Sequence, residues 1–193
     1  ESRPPRPLAP SSGGEDDALS APPDPAMRAA AERGRLLHGL FEHLPDAPVE
    51  RRHELGSAWL ARRAPDMDAD RRAEMVAQAL RVISDPRWTA LFAPDALAEA
   101  PIAAVVGETV IAGTVDRLLI GADEILVVDF KTGAHVPPDA AAVPIAYQRQ
   151  MARYVAALGS IFPGRPVRAG LLYSYGPTLI ELSAEQLAAN SPA

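Results

Sequence analysis

Two aspartates and one lysine fall where they could do chemistry together. Asp116 lies in Gly113-Thr114-Val115-Asp116-Arg117-Leu118, and Asp129 and Lys131 lie in Val127-Val128-Asp129-Phe130-Lys131-Thr132. Both stretches are rich in β-branched and aliphatic residues and read as strands. Side chains alternate along a strand, so Asp129 and Lys131 point to one side and Phe130 to the other. A carboxylate and an ammonium at the end of an apolar strand are costly to bury unless paired or metal-bound. Two strand carboxylates plus the backbone carbonyl of Phe130 suit a hard divalent cation. Mg²⁺ is the first choice, with Mn²⁺ able to substitute, because such ions take oxygen ligands and share their shell with water and phosphate. A water on the cation can lose its proton near neutral pH. Lys131 could orient that water or stabilise charge building on a phosphate under attack. The chemistry is phosphodiester hydrolysis. The same spacing fits a structural Asp–Lys ion pair in a sheet equally well.

Composition narrows the options. Lys131 is the one lysine among 19 basic residues in a chain of 193. Coding bias accounts for the arginines, and the surviving lysine marks a place where a compact ammonium is not replaceable by a planar guanidinium. The absence of cysteine excludes disulfides, thiolate zinc sites, cysteine nucleophiles and an iron–sulfur cluster. A net charge of −6 is not the footprint of a strong autonomous nucleic-acid binder, so any such role needs local patches, metal ions or partner domains. No apolar run is long enough for a membrane span and no secretory signal is visible, which makes the cytoplasm the default compartment. The chain begins with Glu1 rather than methionine and is expected to be a piece of a longer protein.

The elements that must position these residues can be read from periodicity and breakers. Residues 1–24, rich in Pro, Ser and Gly, read as a disordered linker to an upstream domain. Asp24 and Pro25 start a helix over 25–44, with Leu36, Leu37, Leu40, Phe41 and Leu44 as its apolar stripe. A second helix spans about 48–63. A third starts near Asp68 and carries Met75, Val76, Ala79, Leu80 and Ile83 inward. Trp88 to Phe92 forms one turn on the core. Pro101–Val106, Thr109–Ile120 and Glu124–Phe130 read as an antiparallel three-strand meander. A helix over Pro144–Leu158, strands over Val167–Tyr173 and Thr178–Leu182, and a short helix capped by Ser183 complete the chain. The fold class is α/β (α+β). A helical part over 25–95 precedes a mixed sheet of about five strands, flanked by helices, over 96–190.

At this point the sequence resembles the PD-(D/E)XK nucleases, and within them the RecB-like exonuclease branch. The resemblance rests on four elements in order. They are His38 in Gly34-Arg35-Leu36-Leu37-His38, Asp116 in Gly-x-x-Asp-Arg-Leu, Asp129-Phe130-Lys131, and Gln150-Met151-Ala152-Arg153-Tyr154 as Gln-x-x-x-Tyr. It covers about residues 27–188. The three-residue Asp-x-Lys alone would be weak, but the ordered set is specific. Within the branch the chain is similar to the nuclease domain of AddA-type subunits of alphaproteobacterial AddAB helicase–nucleases, and the 163–172 segment shares that flavour. The lack of cysteine favours this side of the complex over the iron–sulfur-bearing one.

The resemblance implies a restriction-endonuclease-like core and a metal-dependent DNA exonuclease. Asp116, Asp129 and Lys131 are catalytic, and His38, Asp116, Asp129 and the Phe130 carbonyl hold the metal. Without the resemblance, His38 would read as an ordinary helical histidine. Gln150 and Tyr154, four apart on one helix face, would contact the DNA strand, and Arg149 and Arg153 form a basic stripe beside them. Glu99 is expected just before the first strand, with a direct ligand role disfavoured. Arg117 anchors the sheet or a partner domain. The implied partners are single-stranded DNA from double-strand break ends, an upstream helicase domain in the same chain and an AddB-type subunit. ATP enters only through that helicase, since no Gly-rich phosphate loop occurs here. Two rivals stand beside this reading. One is a non-catalytic module of the same fold that docks DNA or a partner, and the other is a stand-alone nuclease.

Overall fold

The computed structural model describes residues 24–192, so the expected linker lies outside the described residues except for Asp24. Helix α1 runs Pro25–His43, α2 Arg52–Arg63, α3 Ala69–Ile83, α4 Ile145–Ile161 and α5 Ala184–Ala189. Strands β1 to β5 run Leu97–Val106, Thr109–Ile120, Ile125–Lys131, Val167–Tyr173 and Thr178–Glu181. Local chemistry sets the helix starts. The Asp24 carboxylate accepts from the Met27 N–H at 2.7 Å, with Pro25 in the first turn. Asp68 accepts from the N–H groups of Asp70 and Arg71. Ser183 and Gln186 form a reciprocal capping box on α5.

The five strands form one sheet in the order β1-β2-β3-β4-β5. β1, β2 and β3 are the antiparallel meander, β3 and β4 are parallel with α4 in the connection, and β4 and β5 are antiparallel. This is the mixed sheet expected from the order of elements. Each face covers its own core. On one face Val127, Ala169, Leu171 and Tyr173 pack with Met151, Tyr154 and Leu158 of α4 and Leu187 of α5. On the other, Val128, Phe130 and Leu172 pack with Leu37, Leu40 and Phe41 of α1, Leu60 of α2, Val76 of α3, and Trp88 and Phe92 of a 3₁₀ segment, Pro86–Phe92. Alternation along β3 therefore separates Val127 from Val128 as period-2 geometry requires.

The first strand departs from expectation. It begins at Leu97, not at Pro101, because Leu97 and Ala98 pair with Leu118 and Arg117 of β2. The Ala96–Ala100 stretch has no strand pattern of its own, and its long-range partner decides its state. Pro101 is tolerated inside because β1 is the sheet edge.

Candidate active site

The site forms where the sheet splits. The β2–β3 ladder pairs Ile120 with Ile125 and continues to Arg117 with Val128, then stops. The β3–β4 ladder continues through Asp129–Leu171 to Lys131–Tyr173. Asp116 fills the gap left when β2 departs, and its Oδ2 accepts from the Phe130 N–H. Side-chain alternation slips at the same place. Ile111, Val115 and Leu118 all join one core, a spacing of four followed by three. Across from Asp116, between the paired Ala98 and Ala100, Glu99 adopts φ 45°, the left-handed region that a glutamate rarely occupies. This irregularity brings together His38, Glu99 and Asp116, with one ligand atom from each within 4.8 Å of the others. The His38 Nδ1–Asp116 Oδ1 distance is 3.1 Å. Glu99 is thus a residue of β1 and lies in the cluster, which corrects its expected place before the strand.

Asp129 and Lys131 lie beside this cluster on the α4 face. Lys131 Nζ is 2.7 Å from Asp129 Oδ2 and donates to Gln150 Oε1 at 3.0 Å. It also sits 3.8 Å from the centre of the Tyr147 ring. The Gln150 amide donates to Asp129 Oδ1 at 2.8 Å, so one side chain grips both members of the Asp-x-Lys pair. Behind it, the Tyr154 hydroxyl accepts from Gln150 at 3.3 Å and donates to the Thr114 carbonyl at 2.8 Å. Tyr154 is 1% exposed and Gln150 9%. Both spend their hydrogen bonds inward: Gln150 bonds Asp129 and Lys131, and Tyr154 bonds Gln150 and the Thr114 carbonyl. Their helical spacing is four, as expected, but their shared face points at the sheet. Arg149 is exposed and Arg153 half-buried, and neither forms an ion pair among the described residues.

The electrostatics are those of a site with crowded carboxylates. Burial and then the Asp116 carboxylate push the Asp129 carboxyl up to about 6, against the pull of Lys131. Burial, followed by Asp116, raises Glu99 as well. Burial pulls His38 down, but its hydrogen bond to Asp116 and the charges of Asp116, Asp129 and Glu99 win and raise it. Oxygen-rich donors that raise one another's proton affinity, with an imidazole among them, fit a divalent cation. The donor set is hard and lacks any thiolate.

The far face of the sheet holds the strand end still. The Phe130 ring lies 4.8 Å from Phe41 and stacks on Phe92 at 6.0 Å. Arg117 is 3% exposed, donates to the carbonyls of Phe41 and Ala96, and lies over the Phe92 ring at 5.2 Å. It ties α1 to the sheet, the anchoring role expected of it. A second tie was not foreseen. Arg33 of α1 donates to Gln78 of α3 and to the Thr132 carbonyl, and Gln78 donates to Ser174 Oγ at 3.0 Å. The Ser174 N–H in turn donates to the Lys131 carbonyl at 2.9 Å. The available signal was Gln78, a polar residue inside the inward stripe of Met75, Val76, Ala79 and Val82.

A family model described as the PD-(D/E)XK nuclease superfamily matches residues 15–191. No curated protein matches the chain. Among solved structures, the chain is similar to the crystal structure of a "Putative exonuclease" from Eubacterium rectale, with a TM-score of 0.54 at 10% identity. That alignment covers 89% of this chain and 64% of the other, so the chain spans under two thirds of its neighbour's length and the likeness is one of fold. The structure of SSO0001 aligns over 84% of this chain and 82% of its own at 11% identity, with a TM-score of 0.36.

Proposed function

The chain belongs to the PD-(D/E)XK nuclease superfamily, and from that premise we propose that it is a metal-dependent deoxyribonuclease acting as the exonuclease domain of a helicase–nuclease. The observation that carries the reading is the meeting of His38, Glu99 and Asp116 at the split of β2 from β3, beside the bonded Asp129, Lys131 and Gln150. Asp116, Asp129, His38 and the Phe130 carbonyl would hold Mg²⁺ or Mn²⁺, with Glu99 within 4.8 Å of His38 and Asp116. The cation would supply Lewis-acid charge and a water acidic enough to attack phosphorus at neutral pH.

The chain's own residues do the positioning. Lys131 brings an ammonium that can donate to a phosphate oxygen as negative charge builds there. Gln150 fixes the distance between that ammonium and the Asp129 carboxylate. Tyr154 fixes Gln150 against β2. His38 orients Asp116 through its Nδ1. Arg149, exposed on α4, is available for backbone phosphates.

The finer reading rests on the motif set and on charge. Gln-x-x-x-Tyr after Val-Asp-Phe-Lys-Thr supports an AddA-type nuclease domain that digests single-stranded DNA from double-strand break ends in recombinational repair. A helicase in the same longer chain and an AddB-type subunit would feed the strand, which makes a net charge of −6 tolerable. ATP would be used only by that motor. Among the described residues no helix is long and apolar enough to cross a membrane.

The test is digestion of single-stranded DNA in Mg²⁺ or Mn²⁺ by the wild type and by Lys131→Ala. The wild type is expected to cut and the variant to be dead, with Lys131→Arg also largely inactive despite its charge. Equal activity in wild type and Lys131→Ala would sink the mechanism. No cutting with either metal, even after reassembly with motor and partner subunits, would favour a docking module instead.

A further inference from the structure

The turn that joins β4 to β5, residues 174–177, lies at the end of the sheet that carries Lys131. Tyr173, the last residue of β4, pairs with Lys131, and the Ser174 N–H donates to the Lys131 carbonyl at 2.9 Å. Two residues on, Gly176 lies against Val136 of the loop that follows β3, and a Cβ there would meet Val136 Cγ2 at 3.8 Å. Tyr175 sits between these two contacts, which places its backbone beside the strand end that bears Lys131. Its side chain is 61% exposed, and it is the one aromatic among the large hydrophobic side chains exposed by the described residues. The mechanism above does not use it.

A single exposed apolar side chain is ordinary. Two further observations single this one out. The first is that its turn is held. Ser174 Oγ accepts from Gln78 at 3.0 Å, the Pro177 carbonyl accepts from Arg87 at 3.0 Å, and Thr178 Oγ1 donates to the Gly176 carbonyl at 2.7 Å. Those bonds reach α3 and the 3₁₀ segment, so Tyr175 stands on packed elements. A ring presented on a fixed backbone loses little freedom when a partner stacks on it. The second is charge. A chain with a net charge of −6 gains little from general attraction to phosphates, and the Lys131 ammonium is already bonded to Asp129 and Gln150. Stacking of a base on an aromatic ring does not depend on net charge, and it tolerates any base because each has a π-face. We propose that Tyr175 is a stacking platform for the base of a nucleotide flanking the scissile phosphate of single-stranded DNA. The inference rests on the nuclease reading and adds a contact to the base, which neither the metal site nor Lys131 makes.

The experiment uses the 193-residue chain in Ca²⁺ in place of Mg²⁺, so that binding is read without turnover. Fluorescence anisotropy compares two labelled probes, a short oligothymidylate and an abasic strand with the same phosphates. The wild type is expected to prefer the oligothymidylate. Tyr175→Ala weakens oligothymidylate binding about five- to a hundredfold and leaves the abasic strand unchanged. Tyr175→Phe keeps the ring and binds both probes as the wild type does. A melting scan of each variant checks that it is folded, and an exposed position is expected to shift stability little. Equal binding of the two probes by the wild type overturns the proposal. So does a Tyr175→Ala variant that binds both as well as wild type, or one that is folded and loses both alike. A Tyr175→Phe variant as weak as Tyr175→Ala also overturns it, since the hydroxyl and not the ring would then make the contact. If those failures occur while Mg²⁺-dependent cleavage persists, only the platform falls. If neither probe binds and no cleavage occurs with either metal, the nuclease reading falls and the platform with it.

Discussion

Strand β3 has two neighbours and treats them differently. Against β4 it pairs without interruption from Ile125–Val167 to Lys131–Tyr173. Against β2 it pairs only as far as Val128, and Asp116 occupies the place where the next rung would be. The regular side supplies rigidity. The irregular side lets the carboxylates of Glu99 and Asp116 converge with His38. A fully regular sheet would satisfy every backbone group and leave Asp116 and Asp129 as ordinary cross-strand neighbours. Positioned chemistry here needs one ladder intact and the adjacent one broken.

That contrast can be broken by substitution. The largest effect is expected from Asp116→Asn, which removes a carboxylate at the broken ladder. Mg²⁺-dependent cleavage should fall by about 10²–10³ or more, while chemical denaturation shows little change. A variant that unfolds instead would show that Asp116 serves the sheet rather than the chemistry. On the packed face, Phe130→Ala should cost about 3–5 kcal/mol of stability, read as a lower urea midpoint. A loss under about 1 kcal/mol, the size of an ordinary surface change, would mean that the stacking of Phe130 on Phe41 and Phe92 does not hold the strand end.

A smaller effect sharpens the role of the α4 clamp. Gln150→Leu keeps the volume on α4 but releases Asp129 and Lys131, and it should lower metal affinity or turnover about 10–100-fold. If only the Michaelis constant for DNA rises and turnover stays constant, Gln150 contacts the strand and the outward role returns.

The smallest expected effect concerns pH in the metal-free protein. The Asp129 carboxyl is raised to about 6 in the fold, so the folded state holds a proton that the unfolded chain has released. Stability from this group is present at low pH and declines as pH rises from the ordinary carboxylate range through about 6. His38 is raised too, so its contribution is present below the usual imidazole value and is lost as pH rises through its folded value. Both have the same sign. The melting temperature without metal should fall as pH rises from the ordinary carboxylate range through about 6, more steeply in wild type than in Asp129→Asn, and Mg²⁺ should reverse the fall. Identical slopes in the two proteins would remove Asp129 from the account.

Much of this was legible from short-range pattern. Strand alternation put Asp129 and Lys131 on the face opposite Phe130, and the structure agrees. Asp24, Asp68 and Ser183 start their helices because capping needs only a side-chain oxygen within a few residues. The four motif elements marked the residues that converge. Glu99 was misplaced because nothing local marks Ala98-Glu99-Ala100 as strand, and its pairing with β2 sets it. Spacing placed Gln150 and Tyr154 on one helix face but could not give its direction, which the structure sets toward the sheet.

Residue types and separations by themselves narrowed the chemistry to a hard-cation site or a structural ion pair, with no thiols, and the ordered motif set carried the resemblance that favoured the first. They also determined the order of helices and strands, since periodicities of 3.6 and 2 are local properties of the chain. The tertiary structure alone decided where β2 leaves β3, which way α4 turns Gln150, and that Glu99 and His38, from separate elements, meet Asp116. Those are outcomes of long-range packing, in which backbone hydrogen bonds and buried side chains compete across the whole sheet, and no window of neighbouring residues contains them.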